Sequence, residues 1–139
     1  MNILLPLHIL FIIATGALVL YSDEQGFMWI LGKKETLPRK KLEWLHSLVG
    51  VGLAAIIATG GLLFLRSPQF YLGQTDFIVK MVFVLALAVN GFFVGSMVHH
   101  ASTSPWRQLS WRARLPFLIS GGVSVASWAG ALLCGLLLR

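Results

Sequence analysis

Four runs of about twenty apolar residues each, at residues 3–21, 44–65, 77–98 and 115–138, constrain this chain more than any other feature. A run of that length is what an α-helix needs to cross the hydrocarbon core of a bilayer. Backbone polar groups find no water there, so each run must close its hydrogen bonds within itself, as a helix. The fold predicted is all-α: an integral membrane four-helix bundle, antiparallel and up-down, forming one domain over residues 1–139. With 57% hydrophobic and 12% charged residues, a soluble domain of 139 residues is excluded, because it could not cover its surface.

Charge placement then sets the orientation. Lys33, Lys34, Arg39, Lys40, Lys41, Arg107, Arg112 and Arg114 fall in the first and third connections, against Arg66, Arg139 and Lys80 on the other side. The positive-inside rule makes those two connections cytoplasmic and puts both termini outside. The net charge of +6 therefore points to acidic lipid head groups and not to nucleic acid. The first run has neither a positive leader nor a cleavage site of small residues, and is read as a retained span. Between the first two runs, residues 22–43 read as a polar connection in which 27–31, with Trp29, lie flat in the interface. Phe70 and Tyr71 anchor the second connection.

Small residues predict the packing faces. Gly50, Ala54, Ala58 and Gly61 follow small-xxx-small spacing in the second run, Gly91 and Gly95 in the third, and Gly122, Ala126 and Gly130 in the fourth. A second stripe of the fourth carries Ser120, Ser124, Ser127, Ala131 and Cys134. In lipid such stripes let helix backbones approach, and spare ones would allow a homo-oligomer. Asn90 is read as an interhelical hydrogen bond. Cys134 is the single cysteine, so neither a disulfide framework nor a thiolate metal site is expected.

Chemistry falls to four histidines and a lysine, since ionisable groups in a span are costly and are read as functional. His46 opens the second run and His99 and His100 close the third, so antiparallel packing brings them to one end. Two imidazoles from facing helices can hold a haem iron axially or share a smaller metal. His99 continues the Gly91–Gly95 edge and is the one expected to face inward, with His100 rotated about 100° away. His8 lies deep in the first run, where its own helix offers it no partner. Its partner is expected on another helix, with Lys80 and the end of the fourth run nearest, and its open roles are haem ligand, quinone contact or proton relay. The candidate cofactor site is therefore His8, His46, His99 and Lys80, the three histidines being the candidate metal ligands. Snorkelling to the head groups is the alternative for the histidines at the helix ends and for Lys80.

Asp23, Glu24, Glu35, Glu43 and Asp76 are all read as loop or helix-end residues, which leaves no buried carboxylate for a proton-coupled transporter. No phosphate loop, nucleophile elbow or zinc-protease motif is present. Without C-x-x-C-H, any haem would be held non-covalently.

Leu7-His8-Ile9, the basic stretch leading from Lys40 to His46, the Ile-Val-Lys-Met run around Lys80 and the Arg-Leu-Pro opening of the fourth span carry a resemblance. The chain resembles the small bacterial four-helix membrane proteins of the copper-resistance-D and HemJ-type protoporphyrinogen-oxidase group over most of its length. That resemblance implies haem b, with His8 and Lys80 matching the family's first-span histidine and third-span lysine, and location in a bacterial inner membrane. The chain departs from the family at mid third span, where Asn90 and Gly91 stand in place of a histidine. Oxidase activity is therefore not carried over, and whether the chain is an enzyme stays open. Two functions are expected: a b-type haem protein for electron transfer or haem-linked redox chemistry, with a quinone or membrane redox partner, or a cofactor-free membrane subunit or small transporter.

Overall fold

The computed structural model describes residues 3–138, so Arg139 and its place in the charge count lie outside the described residues. Four long helices carry the fold: α1 (Leu4–Ile30), α2 (Arg39–Arg66), α4 (Thr75–Thr103) and α5 (Trp111–Leu137). A short α3 (Pro68–Leu72) fills the turn between α2 and α4, and a 3-10 turn (Trp106–Gln108) precedes α5. All four long helices are long and apolar enough to cross a membrane. At 27 to 29 residues each rises about 40 Å, more than the roughly 30 Å of a bilayer's hydrocarbon core.

Close contacts give the register. His8 of α1 meets Thr59 and Gly60 of α2, and Thr15 meets Gly52, so α1 and α2 run antiparallel. Lys80 of α4 meets Gly135 of α5, Phe83 meets Gly130, and Asn90 donates to the Ser120 carbonyl, so α4 and α5 run antiparallel as well. The two hairpins join through α2 and α4, where His46 packs on Gly95. The molecule thus has a basic end, with the α1–α2 and α4–α5 connections, and a far end, with the N-terminus and α3.

Glycines make these contacts: Gly95 of α4 and Gly130 of α5 are among those that spacing suggests, but on α2 the choice differs. On α2 it is Gly52 and Gly60 that lie against α1, while Gly50 and Gly61 have no neighbour within 4 Å of a Cβ position. On α5 the stripe of Ser120, Ser127 and Cys134 is buried as expected. Thr15 is 1% exposed and β-branched, so it cannot turn away from a new methyl group at position 52. Gly52→Ala is expected to destabilise the bundle by about 1–3 kcal/mol through overpacking. Thermal denaturation in detergent measures this, with Gly61→Ala as the control that leaves the midpoint unchanged or raised.

The basic end departs from the sequence reading. Residues 27–31 do not lie flat: α1 runs on through Ser22 and Gln25 to Ile30 without a break. Trp29 is buried at 1% exposure, edge-to-face with Trp106 (centroids 5.2 Å apart) and Phe117 (5.0 Å). Its indole N–H donates to the Ser104 carbonyl at 3.0 Å. Leu37 and Ala101 complete this core and are tied by the Leu37 N–H to the Ala101 carbonyl at 2.9 Å. The helix continues because the other basic connection supplies a pocket for Trp29, and it stops where Gly32 takes φ 72°. There the Gly32 and Lys33 amides return to the Trp29 and Met28 carbonyls, a Schellman closure that needs a residue at ease in the left-handed region.

Candidate functional site

The structure separates the predicted site residues into two groups at opposite ends. His8 sits in the far half and is 7% exposed. Its Nδ1 lies 2.8 Å from Thr59 Oγ1. The Thr59 hydroxyl is itself 2.7 Å from the Ala55 carbonyl, one turn back on α2, and donates there. With that proton committed, Thr59 Oγ1 acts as acceptor and His8 Nδ1 carries the hydrogen. On that tautomer Nε2 keeps its lone pair, and the Ile56 backbone is a second polar neighbour of the ring. The expectation that His8 finds its partner on another helix is met, but the partner is Thr59 and not Lys80 or the α5 end. Threonine in a span reads as a small packing residue, so only the helix register could have found it.

Beneath the ring is Gly60, where a Cβ would stand 3.1 Å from His8 Cε1. Lys80 is seated in the same way on the other hairpin, with Nζ 3.4 Å from a Cβ position on Gly135 and beside Cys134. Counting along the helices brings the two seats level. Thirteen residues on from His46 stands Thr59, and thirteen back from Gly95 stands Val82, between Lys80 and Phe83. His8 on Gly60 and Lys80 beside Gly135 thus lie at one level of the bundle, one on each hairpin.

His46 belongs to the other end. It lies about 20 Å along α2 from Thr59, so it cannot share an iron with His8. Its Nε2 rests on Gly95, a full turn short of His99. His99 does not turn inward: it and His100 are both exposed, with ring centroids 6.0 Å apart. The predicted His46–His99 pair is therefore not formed, because α2 meets α4 at the glycine and the last turn of α4 projects beyond the contact. Among the described residues no three of His, Cys, Asp and Glu come together as a metal site.

His46 instead lines a half-open cavity of about 470 Å³ between the hairpins, with Gly50, Gly91, Asn90, Trp128 and Asp23 among its walls. A second lobe of about 570 Å³, between α1, α4 and α5, meets it at Asp23, Asn90 and Ser124. Asp23 corrects the reading of the acids, since it is a helical residue about 10 Å inside the end of α1 and faces both lobes. Its placement was hidden by the assumption that the polar run from Ser22 begins a loop. Comparison with protein-family models, with characterised proteins and with solved structures gave no match to this chain.

Proposed function

We propose that this chain is a membrane-embedded b-type haem protein, in which His8 would supply a nitrogen ligand to the iron, Lys80 would offer a counter-charge to the porphyrin carboxylates, and the haem would serve electron transfer within the membrane. The observation that carries this reading is the state of the His8 ring. A ligating histidine gives its second ring nitrogen to a fixed acceptor, which sets the tautomer and orients the ring. Thr59 is such an acceptor, and it leaves Nε2 as the only donor atom that His8 has for iron.

The donor set fits the group. A neutral imidazole suits iron, and a lysine level with it suits the carboxylates of a non-covalently held porphyrin. Gly60 keeps a side chain away from the His8 ring, where a Cβ would crowd Cε1. The resemblance at His8 and Lys80 points to the same two residues. Haem supplies one-electron redox chemistry, while the chain supplies position, an axial nitrogen and a surround poor in water. The test is the absorbance spectrum of protein purified from haem-replete cells. A Soret band that shifts on reduction is expected, and a colourless protein would overturn the proposal.

The orientation that accompanies this reading puts the basic end in the cytoplasm of a bacterial cell and both termini outside the inner membrane. Support comes from the eight Lys and Arg residues of the two basic connections. A reporter fused after the last residue is expected to register as external. A cytoplasmic signal from that fusion would reverse the side assigned to His8 and to the cavity.

A further inference from the structure

We infer that the two-lobed cavity at the basic end binds an amphipathic organic cation, an ammonium group carried on an apolar body, with Asp23 as its counter-charge. The inference does not depend on the haem reading, which concerns the opposite end of the bundle. It starts from one group. Asp23 faces both lobes and makes no hydrogen bond or ion pair among the described residues. A carboxylate within a span is expensive and is held there by a partner.

Among the described residues no cation forms an ion pair with Asp23. Lys34 Nζ is bound to Gln25 Oε1 at 2.6 Å, and Lys41 stands 4.9 Å over the Tyr21 ring. The groups that hold these two lysines, Gln25 and Tyr21, stand two positions to either side of Asp23 on α1 and so off its face. His46 shares the cavity but forms no ion pair with Asp23. No lysine or arginine lines either lobe, so Asp23 is the one acidic side chain in the walls and meets no basic side chain there except His46, with which it forms no ion pair.

The remaining polar surface favours the same class of ligand. Asn90 spends its Nδ2 on the Ser120 carbonyl at 3.2 Å, which leaves Oδ1 as an acceptor on a wall common to both lobes. Trp128 adds an indole face, the side chain that best attracts a quaternary or protonated amine. Acceptors, an aromatic face and one carboxylate in an apolar hollow of several hundred Å³ select a cation with a greasy body. An anionic ligand of equal shape is repelled.

The test is equilibrium binding to the full-length protein in neutral detergent, using tetraphenylphosphonium and its charge-reversed analogue tetraphenylborate. Saturable binding of tetraphenylphosphonium is expected, with tetraphenylborate bound no better than by empty micelles. Asp23→Asn should weaken it by about 30-fold or more, the loss that follows removal of one partner of a buried charge pair. Asp23→Glu keeps the charge and should keep binding, and Glu24→Gln, which alters an exposed neighbour, should leave it unchanged. If Asp23→Asn does not fold, Trp128→Leu against Trp128→Phe serves instead, the leucine variant losing affinity and the phenylalanine variant holding most of it. Equal binding of the two ions, or wild-type affinity in Asp23→Asn, would overturn the inference.

Discussion

Trp29→Ala is expected to destabilise the basic end of the bundle by about 3–5 kcal/mol, the usual loss for deleting a fully buried large aromatic. Trp29 is 1% exposed and makes two edge-to-face contacts, and its N–H satisfies the Ser104 carbonyl. Its removal therefore leaves a cavity between Trp106, Phe117 and Leu37 and an unpaired carbonyl. Because this core ties the α1–α2 connection to the α4–α5 connection, the damage should be local. Limited proteolysis should cut at 31–38 and 104–110 while the four long helices persist by circular dichroism. Trp29→Phe keeps most of the ring packing and loses only the hydrogen bond, at about 1 kcal/mol. Wild-type protease resistance in Trp29→Ala would show that this aromatic core does not hold the two connections together.

Trp29 also shows what the sequence could and could not reveal. The four spans were legible because apolar runs of spanning length force helices whatever surrounds them. The end of α1 was not, because Ser22 to Gln25 read as the start of a loop when nothing local marks a continuing helix. What extends it is the pocket built by Trp106, Ala101 and Phe117, about 70 to 90 residues later in the chain. The same missing tertiary information hid Asp23 as a cavity residue and Thr59 as the partner of His8. Small-residue spacing found the buried stripe of α5, but on α2 it chose Gly50 and Gly61 when Gly52 and Gly60 make the contacts. Rotation about a helix axis cannot be read from spacing alone when two sets of small residues compete for the same helix. The placing of His46 and His99 fails for a related reason. Both were put correctly at one end, yet the register of α2 on α4 differs by a turn from the one that would pair them.

The second large effect expected is loss of haem from His8→Ala with the bundle intact. His8 is a single side chain on α1, and its removal empties a space over Gly60 without changing a charge pair. The Thr59 hydroxyl keeps its bond to the Ala55 carbonyl, so no buried donor is orphaned by the change. Fold and haem should therefore separate cleanly, with an unchanged elution volume and helix content but little haem per chain. Thr59→Val removes the acceptor for Nδ1 and frees the ring to turn or change tautomer, so it should shift the Soret band and weaken retention without abolishing it. Imidazole added to His8→Ala should restore part of the band, because it fills the space that the side chain left.

The most direct test of the central claim is the Soret absorbance per chain of wild type, His8→Ala and His46→Ala, purified in parallel after haem reconstitution. With His8 as the ligand, His8→Ala is bleached and His46→Ala retains the wild-type spectrum. A wild-type spectrum in His8→Ala together with a bleached His46→Ala would contradict it and move the haem to the cavity at the basic end.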